Sequence, residues 1–333
     1  MKLTSFTPWA FLAGLLLSGP ASALNILLTN DDSWHTANIQ TLADALRANG
    51  HDVIMSAPCT GQSGKGGSIS FLKAVGVDTS KAAQQEYCVG DTDETVPFED
   101  FVEGTPVMAA LYGIDVLAPA IWGGEPDLVI SGPNEGNNLG YLNNTSGTLG
   151  ATMVSIARGI PAIAVSAADG DEDKAGAVAG IVVEIVAQLE SSRRQGEALL
   201  PPFTGLNVNT PANVTDHNGY RFTRVAWNSG GINPQFVEDM SQDETSMTYI
   251  AAGIAESTGM SLEEARAIAE ATYAGRAGIS VAMGGDLVDD DSADAEGRLV
   301  NQGYITISTI DAQVQASRAK TALTARKLDA LSR

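Results

Sequence analysis

The chain has 333 residues, with 19 Lys+Arg against 40 Asp+Glu and a formal net charge of −21. So acidic a surface repels nucleic-acid polymers and carries no basic stripe, so a small anionic substrate needs a local exception such as a metal ion or converging backbone amides. The apolar share, 44%, is ordinary for a globular protein and makes a sizeable core available. At the N-terminus, Lys2, the apolar run 9–17 and the small residues Ala21-Ser22-Ala23 read as an export signal cut before Leu24. The alternative, a buried N-terminal helix, is disfavoured by Gly19-Pro20, which break it early. The expected location is therefore secreted or periplasmic. No later run reaches the roughly 20 apolar residues of a membrane helix, so no membrane association is expected.

From Leu24 to about Ser166 strand-like and helix-like patterns alternate. Residues 25–29 form a short apolar strand ending in Asn30-Asp31-Asp32. Ile39, Leu42, Ala43 and Leu46 then recur at helical spacing, with Gly50 as a stop. Residues 52–58 give a second strand, which completes a βαβ unit and implies parallel pairing. The stretch 75–105 is polar and reads as an inserted excursion. Residues 126–132 form a buried strand leading into a Gly/Asn-rich loop, followed by a helix from Gly150 to Arg158 and a strand over 161–166. A long helix over about 170–200 precedes a strand over 206–211. These strands are apolar on both faces, as a central parallel sheet requires.

The C-terminal third differs. Ser261-Leu262-Glu263-Glu264 is a capping box opening a helix to about Gly275. The acidic run 286–296 reads as a solvated loop, in which Asp290-Asp291 as a second ion site is the weaker alternative. Residues 304–310 alternate strictly, as a strand with one exposed face does. After Ser317 comes an amphipathic helix or a frayed tail. The expected organisation is a signal over 1–23, an α/β domain over 24–215, and an extension over 216–333 that completes the fold. Cys59 and Cys88, an even count in an exported chain, favour a disulfide that would stabilise by about 3–4 kcal/mol. Two free buried thiols remain the alternative.

In open parallel sheets, ligands sit beyond the carboxyl ends of the strands. Three polar clusters lie at such ends: Asn30-Asp31-Asp32, Gly61-Gln62-Ser63-Gly64, and Ser131-Gly132-Pro133-Asn134-Glu135-Gly136-Asn137-Asn138. Singly, each reads as readily as a turn or a cap. Together they set two carboxylates, a hydroxyl and carboxamides at one edge. Adjacent carboxylates are costly unless a cation neutralises them, and an all-oxygen donor set suits a hard ion such as Mg²⁺ or Mn²⁺. His35 is a candidate acid for a leaving oxygen, though a loop histidine is the commoner case. Trp34 is a candidate stacking platform for a ring, weighed evenly against packing.

The same residues carry a resemblance. Asn30-Asp31-Asp32, Ala57-Pro58 leading to Gln62-Ser63-Gly64, Gly104-Thr105-Pro106, the run from Ser131 to Gly140, and Ser146-Gly147-Thr148 occur in an order similar to that of the SurE family of metal-dependent nucleotidases. Leu206-Asn207-Val208-Asn209 and Gly303-Tyr304-Ile305-Thr306-Ile307 also fit. The resemblance implies an α/β fold, a Rossmann-like three-layer αβα arrangement with a mostly parallel sheet, plus a C-terminal extension of helix and β-hairpin or strand. It implies a metal-dependent phosphomonoesterase acting on nucleoside monophosphates or similar small phosphate esters. It further implies a divalent ion, Mg²⁺ or Mn²⁺, held by Asp31, Asp32, Ser63 and Asn134. Asn138, Ser146 and Thr148 would meet the phosphate, and Asp31 would also orient or deprotonate the attacking water. A homodimer or homotetramer paired through C-terminal elements is implied as well. Ser33 stands where the family usually has Gly, Asn38 where Gly is typical, and Met108 and Ala109 where Asp and Cys are usual. Two alternatives stay open: a non-catalytic periplasmic binding protein for a small anion, against which the aspartate pair argues, and an exported relative that kept the fold and lost activity.

Overall fold

The computed structural model describes residues 23–332 apart from 94, 172, 195, 286, 287, 289 and 291, so the expected signal lies, but for Ala23, outside the described residues. The strands are β1 (Asn25–Thr29), β2 (Asp52–Pro58), β3 (Val77–Asp78), β4 (Glu86–Val89), β5 (Leu128–Glu135), β6 (Ala162–Ala167), β7 (Thr204–Thr210), β8 (Tyr220–Thr223), β9 (Ile232–Val237), β10 (Gly278–Met283) and β11 (Ile305–Asp311). Nine of them form one sheet in the order β3-β4-β2-β1-β5-β6-β7-β11-β8, while β9 and β10 pair antiparallel by themselves. The sheet is mostly parallel: only β3–β4 and β7–β11 run antiparallel. The α/β architecture read from the sequence is the one observed.

The helices are α1 (Ala37–Ala48), α2 (Pro106–Tyr112), α3 (Ala118–Trp122), α4 (Gly147–Ala157), α5 (Lys174–Ser192), α6 (Glu244–Thr258), α7 (Leu262–Tyr273), α8 (Glu296–Asn301) and α9 (Arg318–Lys327). A π-helical turn over Gly113–Leu117 joins α2 to α3. Side chains alternate across a strand, so each apolar strand feeds two cores. Ile26 and Leu28 of β1, with Val53, Met55, Leu128 and Ile130, face Ile39, Leu42 and Leu46 of α1 and Val178, Val182 and Val186 of α5. Leu27, Ile54 and Val129 face the other way, toward Ile114, Leu117 and Ile156. Every one of these side chains is buried, and this two-sided burial is what makes three layers. At roughly 25 cal/mol per Å² of apolar area, such burial is the main stabilising term.

Several local expectations change. The polar stretch 75–105 is no excursion, because β4 within it pairs with β2 in the main sheet. The disulfide forms: Cys59, just past β2, joins Cys88 of β4, with Cα atoms 4.8 Å apart, and no cysteine among the described residues is free. α4 begins at Gly147, three residues before the expected start, because Ser146 accepts a hydrogen bond from the Leu149 amide and caps the helix. α5 is long and apolar enough by composition to cross a membrane, contrary to the expectation that no such run exists. Its buried stripe, Val178, Val182, Ile185 and Val186, is spent on the sheet and α1. β11 does not expose a whole face, since Ile305 to Ser308 are buried between β7 and β8. The capping box at Ser261 and Glu264 is present. α9 buries none of its residues.

Cross-linking residues 29 apart removes loop-closure entropy from the unfolded chain. Cys59→Ser should therefore lower the unfolding free energy by about 3 kcal/mol in urea denaturation, and the wild type should titrate no free thiol until reduced.

Candidate functional site

The carboxyl ends of β1, β2 and β5 and the N-terminus of α4 meet at one edge of the sheet. β1 ends at Thr29, so Asn30, Asp31 and Asp32 emerge at the first turn beyond it. Buried Asn30 folds this turn by donating to the Ser33 carbonyl at 2.9 Å. Ser33 takes a φ of 101°, in the region that glycine favours, and its hydroxyl donates to the Cys59 carbonyl at 3.0 Å. Holding a non-glycine residue there costs roughly 1–3 kcal/mol. The departure noted in the sequence is thus a strained one. The loop after β2 crosses over this turn, and the Gln62 amide donates to the Asp31 carbonyl at 2.6 Å. Ser63 follows directly in that loop and is exposed.

β5 carries the third cluster. Its register against β6 shifts between Ser131 and Asn134, a bulge that re-aims the strand end. Gly132 permits it: a Cβ there would lie 2.2 Å from the Val165 carbonyl oxygen, with φ at +117°. Beyond the bulge, the Glu135 amide donates to Asp32 Oδ2 at 2.9 Å. Asn134 donates its amide hydrogens to the carbonyls of Glu135 and Gly136 at 3.2 and 2.6 Å. That leaves its Oδ1 without a hydrogen bond among the described residues.

Asp31 is 3% exposed and sits at the N-terminus of α4. Its Oδ1 accepts from the Thr148 hydroxyl at 2.7 Å. Thr148 Oγ1 in turn accepts from Asn138 Nδ2 at 3.3 Å, and Asn138 also donates to Ser166 Oγ at 2.9 Å. A Cβ on Gly147 would lie 2.7 Å from both Asp31 Cβ and Pro106 Cγ, so only glycine lets the helix approach this closely. Burial raises the Asp31 carboxyl above its ordinary range, opposed by the Thr148 hydroxyl and by the amides of Gly147 and Thr148. Asp32 is pushed up to about 7, by burial first and by the neighbouring Asp31 second. No Lys, Arg or His among the described residues forms an ion pair with either aspartate. The nearby Lys174 ammonium pairs instead with Glu135 at 2.6 Å and Asp169 at 2.9 Å.

The sequence-derived residues therefore divide. Asp31, Thr148 and Asn138 form one hydrogen-bonded line, and Asp32 and Asn134 meet it through the β5 bulge. Ser63 is exposed and makes no hydrogen bond to the cluster among the described residues; its link is its neighbour Gln62, whose amide meets the Asp31 carbonyl. Ser146 caps α4 and keeps its own hydroxyl hydrogen for another acceptor. Both amide hydrogens of Asn138 are spent on Thr148 and Ser166, so Asn138 orients Thr148 and presents no free donor. Trp34 is no stacking platform: it is 3% exposed, in the core, with Lys81 Nζ 4.7 Å over its ring. His35 lies among Lys81, Asp78 and Glu86, and burial and Lys81 lower its pKa. Asn38 neither caps α1 nor takes a left-handed backbone. Thr36 holds the cap position, and Asn38 donates to Glu135 Oε1 at 2.6 Å. Asp290 binds Arg224 at 2.8 Å and is held at about 2, chiefly by the Ser292 hydroxyl, whereas Asp291 lies outside the described residues.

The donor set suits a divalent cation. Two adjacent, mostly buried carboxylates lack a paired protein cation, and Asn134, one residue before the Glu135 amide that binds Asp32, has an unengaged carboxamide oxygen. All of these are hard oxygen ligands, which Mg²⁺ and Mn²⁺ prefer. No group of three or more His, Cys, Asp or Glu placed to hold a metal ion occurs among the described residues, so a cation at the aspartate pair would also draw on amide or hydroxyl oxygens.

Four residues around the site were given no role from the sequence, Asn207 and Asn209 entering only as part of a motif shared with the family. Asn207 and Asn209, buried on β7, both donate to the Asn138 carbonyl, at 3.2 and 3.0 Å. Lys174 and Glu296 are the others. Glu296, expected at the end of a solvated run, is fully buried. The available signal was the alternation Asn207-Val208-Asn209, a polar face on a strand whose other face is core.

A family model described as Survival protein SurE matches residues 26–231. An acid phosphatase of Yarrowia lipolytica is 36% identical over 206 residues, covering 57% of this chain and 57% of that protein. A 5'-nucleotidase SurE of Geobacter metallireducens is 35% identical over 188 residues, covering 56% of this chain and 65% of that protein. The chain thus spans less than two thirds of the length of these relatives. The crystal structure of a SurE protein from Aquifex aeolicus superposes with a TM-score of 0.64 over 91% of this chain and 99% of that one, at 24% identity, a likeness of fold.

Gly147→Ala should destabilise by about 1–3 kcal/mol in urea denaturation, because neither Asp31 nor the Pro106 ring has room to retreat. Glu296 supplies a pH test. Burial raises its carboxyl from 4.5 to about 6, against hydrogen bonds from Gly140, Ser308, Asn207 and Asn143. The unfolded chain binds that proton less tightly, so this group's stabilisation is full below pH 4.5 and lost as pH rises through 6. The stability difference between wild type and Glu296→Gln should shift by about 2 kcal/mol between pH 4.5 and 7.5.

Proposed function

This chain belongs to the Survival protein SurE family, and from that membership and the geometry of its strand ends we propose that it is a metal-dependent phosphomonoesterase acting on nucleoside monophosphates or similarly small phosphate esters. The observation that carries the reading is the buried Asp31–Asp32 pair set against the first turn of α4, with no protein cation paired to it. The printed activities of the relatives, acid phosphatase and 5'-nucleotidase, support it.

In this reading Asp31, Asp32, Asn134 and Ser63 hold a divalent cation, Mg²⁺ or Mn²⁺. When bound, it offsets phosphoryl charge and lowers the pKa of a nearby water. Asp32 is steadied at Oδ2 by the Glu135 amide, which frees Oδ1 for the cation. Asp31 is steadied at Oδ1 by Thr148, so Oδ2 is the oxygen that orients the attacking water and receives its proton. The first amides of α4 and the Ser146 hydroxyl face the phosphoryl group, where a helix N-terminus favours negative charge. Asn138 contributes by fixing Thr148.

Two further readings are proposals of the same kind. An exported location is supported by the signal pattern of residues 1–23 and by the disulfide, which persists in oxidising compartments. Homo-oligomerisation through C-terminal elements is supported by exposed Phe236, Ile279 and Met283 on the β9–β10 pair.

p-Nitrophenyl phosphate and nucleoside monophosphates should be turned over with Mn²⁺ or Mg²⁺, lost on adding chelator and restored by the metal. Asp32→Ala should reduce turnover and cation binding to background with an unchanged circular dichroism spectrum. Turnover retained in that variant would remove Asp32 from the site, and no turnover of any phosphate ester by the wild type would favour the solute-binding alternative.

A further inference from the structure

Glu296 opens α8, far from the aspartate pair in the chain and beyond the segment that the family model matches. It is 0% exposed, yet no Lys, Arg or His among the described residues pairs with it. Four donors surround its carboxylate instead. Oε1 accepts from the Gly140 amide at 3.0 Å and from Asn143 Nδ2 at 3.4 Å. Oε2 accepts from Asn207 Nδ2 at 3.2 Å and from Ser308 Oγ at 2.9 Å. Two of these donors belong to the loop that leads into α4, and two belong to the adjacent strands β7 and β11. A buried carboxylate kept without a counter-charge needs all of its hydrogen bonds, and here they tie the loop to the sheet.

The loop in question runs from Asn138 to Thr148. Its two ends are closed on each other by the Asn138–Thr148 hydrogen bond, and Asn138 is bracketed by Asn207 and Asn209. Glu296 holds the span between them, at Gly140 and Asn143. Packing at this point is tight. A Cβ on Gly140 would lie 1.9 Å from the Asn228 carbonyl oxygen, and one on Gly297 would lie 2.2 Å from Asn228 Oδ1. The loop cannot shift toward the C-terminal segment without a clash, nor away from it without breaking bonds to the carboxylate. Ser146, Gly147 and Thr148 follow directly. Asn207 donates to both Glu296 and the Asn138 carbonyl, and Asn138 donates to Thr148, so the same carboxylate reaches the Thr148–Asp31 contact through three hydrogen bonds.

We propose that Glu296 is a positioning residue for phosphate recognition, holding the 138–148 loop at the height where the first amides of α4 and the Thr148–Asp31 pair face the phosphoryl group. The proposal rests on the phosphomonoesterase reading for its ligand and on the four hydrogen bonds for its geometry. Glutamine at this position keeps the shape but turns an NH₂ group toward donors, so it releases one side of the tie. Alanine releases both. Cation binding depends on residues outside the tie and should be spared.

The test uses the full chain with saturating Mn²⁺, comparing wild type, Glu296→Gln, Glu296→Ala and Asn143→Ala. Glu296→Gln should raise the KM for p-nitrophenyl phosphate and the inhibition constant of inorganic phosphate together, by about tenfold, as an oriented binding interaction does. Its kcat should change less, and its Mn²⁺ affinity by calorimetry should stay within about twofold, since no proposed ligand is touched. Asn143→Ala, which removes one donor from the more accessible side, should move both constants the same way by about two- to threefold. If Glu296→Ala does not fold, the other two variants decide. Lower melting temperatures with unchanged KM and phosphate constants, measured well below melting, would mean a purely structural role and overturn the proposal. A wild type that binds phosphate calorimetrically without hydrolysing esters overturns the enzymatic reading alone, and phosphate affinity then tests Glu296. A wild type that neither hydrolyses nor binds phosphate overturns both.

Discussion

Two adjacent carboxylates buried at the end of a parallel strand repel each other and lack the water that would screen them. Burial is the largest cause holding both Asp31 and Asp32 above the usual carboxylate range, and their mutual repulsion is the next for Asp32. The arrangement around them can be understood as partial relief of that conflict. Thr148 and the first amides of α4 favour the charged form of Asp31, and the Glu135 amide favours that of Asp32. Lys174 is committed to Glu135 and Asp169 and relieves Asp32 only from a distance. The remaining imbalance is what a hard divalent cation would remove, which is why the pair points toward phosphate chemistry better than toward simple solute binding.

The sheet makes the conflict possible. Parallel strands place their carboxyl ends on one edge, so the turns after β1, β2 and β5 converge although they are separated by long stretches of chain. Convergence alone would leave the loops loose. Close backbone approaches tighten it: Gly132 lets β5 bulge against Val165, and Gly147 lets α4 rest on Asp31 and Pro106. At both places any side chain would force the elements apart, and the distances among the clustered polar groups with them.

The C-terminal third is not a detached addition to this scaffold. β8 and β11 extend the main sheet past β7, and β11 runs antiparallel to β7, so the polar faces of the two strands lie side by side. Asn207 and Ser308 on those faces converge with Glu296 beneath the loop that leads into α4. A segment distant in sequence is thereby tied by hydrogen bonds to the loop that leads into α4.

Much of this was legible in the residues. Apolar strands with short helical repeats between them can bury both faces only as the middle of three layers, so the α/β class followed from pattern alone. Asp31-Asp32 and the Gly/Asn-rich run that closes β5 each read as readily as a turn, and only their shared place at strand ends marked them as a candidate site. The disulfide was open in the sequence, because two spaced cysteines do not say whether their strands are neighbours, and pairing of β2 with β4 answered it. Glu296 was illegible for a related reason: beside a run of aspartates it looks solvated, and only the packing of α8 against β7 and β11 removes its water. The partners of Asn138, Thr148 and Ser166, were equally illegible, because hydrogen-bond partners, unlike residue types, depend on which loops touch. Periodicity and composition determine which elements form and which faces they bury, since those depend on neighbours along the chain. Charge state, strain and the partners of buried polar groups are set by groups far apart in sequence, and those only the folded arrangement decides.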